Sequence, residues 1–158
     1  MLQAAPHRGA ESATAIVDGW ALGVLHRSDR TDAWLAETDA TGAAVTGVLD
    51  NLEELRGALS APAANPAEIA IRAFRAWGDE APARMRGAFA GCVVVNGVLR
   101  CFRDHLGLRP LFFGEGPAGL AVATKEVECF SVVYNHCSGH GGRVRRSVRS
   151  TQSEIPYE

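Results

Sequence analysis

The dipeptide Asn96-Gly97, with β-favouring residues on both sides, most constrains the fold of this chain. The flanking runs are Ala88–Val95 and Val98–Arg103. A two-residue hairpin loop needs positive φ at both positions, and Asn followed by Gly adopts this at little cost. The sequence therefore predicts an antiparallel hairpin here, and any fold of this chain must contain an antiparallel sheet.

Further strands and helices are predicted around this hairpin. Alternating and β-rich runs predict strands at 14–17, 20–26, 33–37, 43–49, 110–114 and 120–124, with Asp39, Thr41 and Gly42 in the turn between the third and fourth. Apolar spacing predicts a short helix from Leu52, with Asn51 as its N-cap. A second helix is predicted from Pro66, with Asn65 as its cap and Gly78 as its stop. The order strands, helices, strands favours an α+β layered domain over a parallel βαβ fold.

The composition changes abruptly near residue 123. No alanine follows Ala123 and no leucine follows Leu120, although both are frequent earlier. We therefore predict a domain over residues 1–126 and an irregular or disordered tail of foreign composition over residues 127–158. A frameshift or premature stop explains this break better than a designed tail does.

Charge and hydropathy exclude several classes of protein. A net charge of −2 gives no electrostatic case for nucleic acid, and 47% hydrophobic residues exclude a wholly disordered chain. No apolar run approaches the ~20 residues that span a bilayer. The first residues, MLQAAPHRG, do not resemble a secretory signal. We expect a cytoplasmic protein with neither a nucleic-acid nor a membrane partner.

The four cysteines, at positions 92, 101, 129 and 137, contain no C-x-x-C pair. His136, Cys137 and His140 only loosely approximate a zinc site, which needs four closely spaced ligands. Free thiols in a reducing compartment are the expectation, and no metal ligands are assigned.

Five segments in a fixed order resemble the N-terminal class II glutamine amidotransferase domain of asparagine synthetases. They are HRG (7–9), GVLDNLEEL (47–55), E-x₈-WG (68–78), RMRGAFA (84–90) and RDHLGLRPLFF (103–113). The resemblance covers about residues 1–126. It implies an N-terminal-nucleophile-type fold, a four-layer αββα sandwich of antiparallel sheets, here lacking the first strand.

In that family the domain hydrolyses glutamine to release ammonia. An N-terminal cysteine thiol attacks the carboxamide, its own α-amino group is the base, and an Asn–Gly pair forms the oxyanion hole. A synthetase domain then uses the ammonia to form an amide. The resemblance implies no cofactor in this chain, since ATP and Mg²⁺ belong to the missing synthetase domain. It implies glutamine as a ligand if the pocket survives, and a separate synthetase domain as a possible partner.

This chain departs from the family at the residues that carry the chemistry. It opens with Met1-Leu2, which aligns with the helix before HRG, so the nucleophile strand is expected to be missing and no catalytic residue is assigned. Thr46-Gly47 occupies the position of the family's Asn–Gly oxyanion pair. Pro66 occupies the position of the family's acidic residue, which binds the substrate ammonium. The carboxylate-binding arginine falls near His26-Arg27. Arg27, Thr46 and Gly47 are therefore the candidates for substrate binding.

Other conspicuous residues have structural interpretations. Phe74 and Trp77 are predicted to pack in the core, and Arg103 and Asp104 to make structural contacts at the hairpin. His7, in HRG, is expected to hold the loop over the glutamine pocket, and His105 is expected to be exposed.

Three hypotheses remain. The first is an asparagine-synthetase-like amidotransferase domain that is catalytically inactive by itself. The second is a non-catalytic scaffold of a β-lactam-synthetase or lasso-peptide-cyclase-like system that binds a separate synthetase. The third is a decaying gene fragment whose product barely folds.

Overall fold

The computed structural model describes residues 11–26, 32–38, 40–116, 119–124 and 144–145. The strands are β1 Glu11–Val17, β2 Trp20–His26, β3 Ala33–Thr38, β4 Thr41–Leu49, β5 Gly87–Val95, β6 Val98–Arg103, β7 Phe112–Gly116, β8 Gly119–Ala123 and β9 Val144–Arg145. The helices are α1 Leu52–Ala58 and α2 Pro66–Trp77, followed by 3₁₀ turns at Gly78–Glu80 and Pro82–Arg84.

All neighbouring strands pair antiparallel. β1 and β2 form a hairpin, β3-β4-β5-β6 form a central four-stranded sheet, and β8-β7-β9 form a third sheet. This arrangement confirms the predicted α+β class with antiparallel sheets. The segment before HRG that aligns with a helix of the family, and His7, lie outside the described residues. The domain boundary at residue 126 stays a prediction.

The Asn96-Gly97 hairpin is present with the predicted geometry. Asn96 has φ of 53° and Gly97 has φ of 74°, and Val95 pairs directly with Val98 across the turn. Positive φ at both loop positions matches the twist of the flanking strands. This turn therefore fixes the register between β5 and β6.

Helix α2 covers one face of the central sheet. Its capping box is complete: Asn65 Oδ1 accepts from the N–H groups of Ala67 (2.9 Å) and Glu68 (3.0 Å), and the Glu68 carboxylate accepts from Asn65 N at 2.7 Å. Buried Phe74 contacts Phe102 on β6, with ring centroids 5.1 Å apart, and Phe102 also contacts Phe89 on β5 at 6.2 Å. These contacts build the larger core and confirm the predicted core role of Phe74; Trp77 packs against its edge.

The β1–β2 hairpin packs on the opposite face of the sheet. Its inward residues, Ala15, Val17, Leu22 and Val24, form a second cluster with Ala44 and Val94. Gly42 permits this contact, because a Cβ there would lie 2.8 Å from Val17 Cγ2. The described layers thus run helix, sheet, hairpin. Within the described parts of the chain, no helix is long and apolar enough to cross a membrane.

Several strand boundaries differ from the prediction by one to three residues, and two of these differences have a physical cause. Thr41 and Gly42 belong to β4 rather than to the turn, because Thr38 and Thr41 are paired and Thr41 Oγ1 donates to Thr38 O at 2.9 Å. β7 begins at Phe112 instead of residue 110, since Pro110 has no N–H to donate to a ladder.

Candidate functional site

A cavity of about 90 Å³ lies on the face of the central sheet opposite α2. β4 and β5 form its floor with Ala44, Thr46, Ala90 and Cys92, and residues of β2, β3 and β8 and Leu111 complete the described lining. No charged side chain is among these lining residues. The cavity therefore offers its contents an apolar surface with a few hydroxyl and thiol groups.

The two predicted oxyanion residues are adjacent on β4, Thr46 lines the cavity, and both residues donate to one acceptor. The Thr46 hydroxyl donates to the Asp32 carbonyl oxygen at 3.1 Å, and the Gly47 N–H donates to the same oxygen at 2.8 Å. An oxyanion hole needs donors that are free to point at the developing charge. In this structure both donors are already hydrogen-bonded to the Asp32 carbonyl oxygen.

Gly47 is required here by the backbone. Its φ is 113°, and a Cβ would lie 2.1 Å from the Ala88 carbonyl oxygen on β5. A Cβ atom at that distance would clash with the oxygen, so only glycine allows β4 and β5 to approach this closely. A structural role thus accounts for this glycine without any catalytic role.

The remaining predicted substrate contacts are not assembled among the described residues. Pro66 occupies the first turn of α2 and is buried. The nearby Glu68 carboxylate is held by the Asn65 backbone. Arg27 lies outside the described residues. The Asp32 carboxylate pairs with Arg109 Nη2 at 3.6 Å, and neither residue is part of the cavity lining.

Two of the four cysteines can be described, and both are free thiols. Burial raises the pKa of Cys92 to about 11. Burial, with a smaller contribution from Cys92, raises the pKa of Cys101 to about 12. Both groups are protonated at neutral pH, and a thiol attacks carbonyl carbon only as its thiolate. No group of described His, Cys, Asp or Glu residues could hold a metal ion.

Asp104 organises the loop after β6. Its carboxylate accepts from Leu108 N at 2.9 Å and Arg109 N at 3.1 Å, and its own N–H donates to Phe89 O at 2.9 Å. Burial raises the pKa of the Asp104 carboxyl, but these and other backbone N–H groups outweigh burial and hold that pKa below its ordinary value. The predicted structural role of Asp104 and the exposure of His105 are confirmed.

The predicted N-cap position of Asn51 is confirmed, but its side chain has a different role. It stands at the N-cap position of α1, but its side chain makes no capping hydrogen bond. Instead Nδ2 donates to Arg84 O at 3.0 Å, and Oδ1 accepts from Arg86 N at 2.8 Å. The buried amide thereby ties the start of α1 to the segment that enters β5, and this long-range contact has no local sequence signal.

Asp32 is the site residue that sequence reasoning missed. It acts on Thr46 and Gly47 through its backbone carbonyl, which every residue type possesses, so no sequence signal could have identified it.

Comparisons with known proteins agree with this fold. The family model of the glutamine amidotransferase domain matches residues 25–130, more than half of the chain. Over 79 residues the chain is 35% identical to putative glutamine-hydrolysing asparagine synthetases of Mycobacterium bovis and Mycobacterium tuberculosis, which covers 49% of this chain and 12% of those proteins. A glutamine phosphoribosylpyrophosphate amidotransferase structure from B. subtilis matches with a TM-score of 0.63 at 18% identity, over 92% of this chain and 40% of that one.

The chain is therefore a class II glutamine amidotransferase domain by fold, and it belongs to the glutamine amidotransferase domain family. Its curated relatives are of the asparagine synthetase type, and the matched stretch spans only a small part of their length. The family resemblance and the layered α+β fold inferred from the sequence are confirmed.

Replacing Gly47 tests its backbone role. Gly47→Ala places a methyl group against the Ala88 carbonyl and is expected to lower the free energy of unfolding by about 3 kcal/mol, measured by urea denaturation. Gly57→Ala is the control, because nothing lies near its Cβ position in α1, and it should stabilise the chain by up to about 1 kcal/mol. Equal stability of the two variants would contradict the structural role.

The Asp104 carboxylate should make the free energy of unfolding depend on pH in the acid range. Its pKa is lower in the folded chain, so its contribution is complete above about pH 4, where an unfolded Asp is ionised, and disappears as pH falls through the lower folded value. Asp104→Asn should remove that part of the pH dependence of the urea midpoint. The control Asp79→Asn, in an exposed ion pair with Arg100, should retain it. An unchanged acid profile in Asp104→Asn would refute this role.

Proposed function

We propose that this domain does not hydrolyse glutamine and keeps the amidotransferase fold without the glutaminase chemistry. The observation that carries the proposal is the engagement of Thr46 Oγ1 and Gly47 N–H by the Asp32 carbonyl. Loss of one oxyanion donor costs roughly 10²–10³-fold in rate. Here a side-chain hydroxyl replaces the family's amide, and both donors are occupied.

The character of the cavity also supports the proposal. Glutamine carries an α-ammonium and an α-carboxylate, and burying either charge without a partner is strongly unfavourable. The described lining contains no charged side chain. Pro66, at the position where the family has its acidic residue, has no charge to offer.

The described thiols add a third line of support. Cys92 borders the cavity beside Ala44 and Thr46, so it is the described thiol best placed for attack. Its pKa of about 11 leaves almost no thiolate at neutral pH. It also lies within a strand, where it has no α-amino group to act as its base.

Calorimetric titration with glutamine tests this proposal. Neither the unmodified chain nor Thr46→Val, which removes the hydroxyl at the cavity, is expected to give saturable heat up to about 10 mM glutamine, and neither should release glutamate. Glutamate release above the background without protein would overturn the proposal. A dissociation constant below about 1 mM that Thr46→Val weakens, about −4 kcal/mol of specific binding, would contradict the cavity argument for it.

A second candidate function is a non-catalytic scaffold for a separate ATP-dependent synthetase. The loop after β6 favours it: Leu106 is 83% exposed and Leu108 is 61% exposed, on a backbone that buried Asp104 fixes. Apolar side chains displayed on a rigid loop are suited to a protein interface, because ordering them costs little entropy.

The scaffold function predicts a specific loss of binding. Leu106→Ser with Leu108→Ser should weaken association with an asparagine-synthetase-type domain from the same genome at least about tenfold. Val98→Ser, at a half-exposed position on β6, is the control and should bind unchanged. Sedimentation velocity with the purified pair measures both. Absence of association, or equal binding by the double variant, would contradict this function.

A further inference from the structure

Cys92 on β5 and Cys101 on β6 are direct cross-strand partners. Opposing residues of an antiparallel pair project to the same face of the sheet. That face is the one that carries Ala44, Val94 and the cavity, and Cys92 lines the cavity itself. Both side chains are partly exposed and neither is in a disulfide.

The hairpin turn defines what kind of pair they form. In a two-residue hairpin the residues flanking the loop, Val95 and Val98, exchange hydrogen bonds. Hydrogen-bonded and non-hydrogen-bonded pairs then alternate along the ladder, so Cys92 and Cys101, three steps away, are a non-hydrogen-bonded pair. Such pairs have Cα atoms about 4.5 Å apart, inside the roughly 4.4–6.8 Å range of disulfides.

The two thiols also interact electrostatically. Burial is the main cause of the raised pKa of Cys101, and the charge of Cys92 raises that pKa further, to about 12. Neighbouring thiols that are mostly protonated react slowly at neutral pH, and their reactivity rises as the solution becomes alkaline.

We propose that Cys92 and Cys101 are a redox modification site, which closes to a cross-strand disulfide by exchange with a low-molecular-weight disulfide of the glutathione class. One cysteine thiolate attacks a sulfur of the oxidant, forms a mixed disulfide and expels one thiolate. The second cysteine thiolate then attacks the mixed disulfide and expels the other. The chain gives up two electrons, and its two protons end on the two released thiols.

The bond would link two adjacent strands of the central sheet beside the cavity. It constrains the unfolded chain across the hairpin, so the oxidised protein should unfold at a higher urea concentration than the reduced protein. This site does not depend on whether the domain hydrolyses or binds glutamine.

Peptide mapping identifies the bond directly. Trypsin cleaves after Arg86, Arg100 and Arg103, and therefore separates Cys92 in peptide 87–100 from Cys101 in peptide 101–103. After the folded chain is equilibrated in glutathione redox buffers, acid-quenched and digested without reductant, we expect these peptides to be joined, and to separate on reduction. The rate of joining should rise about tenfold per pH unit between pH 7 and 9, because both thiols are protonated there.

The urea-unfolded chain supplies the reference state. In an unfolded chain the two cysteines meet only by loop closure, with an effective concentration near the millimolar range. The folded chain should favour the bond at least about tenfold more at the same glutathione ratio. Cys101→Ser should abolish the joined peptides and leave Cys92 to form only a glutathione adduct. Equal or weaker bond formation in the folded chain, or joining of Cys92 to Cys129 or Cys137 instead, would overturn the proposal.

Discussion

The close approach of β4 and β5 at Gly47 is the constraint on which the candidate site depends. A Cβ at Gly47 would lie 2.1 Å from the Ala88 carbonyl oxygen, so the two strands can pair in this register only through glycine. The same residue donates its N–H to the Asp32 carbonyl at the start of β3. One glycine therefore links β4 to β5 and to the residue that precedes β3, directly beside the cavity-lining Thr46.

The larger hydrophobic core and the cavity lie on opposite faces of the central sheet. One face of the central sheet carries a large core with α2, and the other carries the smaller cluster and the cavity. Stability rests mainly on the first face, where Phe74, Phe89 and Phe102 pack together. Thr46 lies on the second face and lines the cavity, whereas Pro66 lies in α2 on the first face, so the two departures from the family are on opposite sides of the sheet.

Local signals in the sequence were enough for much of the fold. Asn96-Gly97 defined a hairpin, and Asn65 followed by Pro66 defined a helix start, because the physical cause lies within a few residues. Asn51 occupies the predicted N-cap position, but its side-chain partners, Arg84 and Arg86, could not be predicted because they are distant in sequence. The engagement of Thr46 by Asp32 could not be predicted for the same reason. The motif order identified the family, but only the structure could show which donors are occupied.

The state of the Gly47 amide tests the central claim most directly. If the Asp32 carbonyl holds this N–H permanently, the ¹⁵N-labelled chain should show a Gly47 amide that is protected from hydrogen exchange and does not shift when glutamine is added to saturating concentration. A saturable glutamine-dependent shift of the Gly47 resonance, with rapid exchange in the absence of glutamine, would contradict the account.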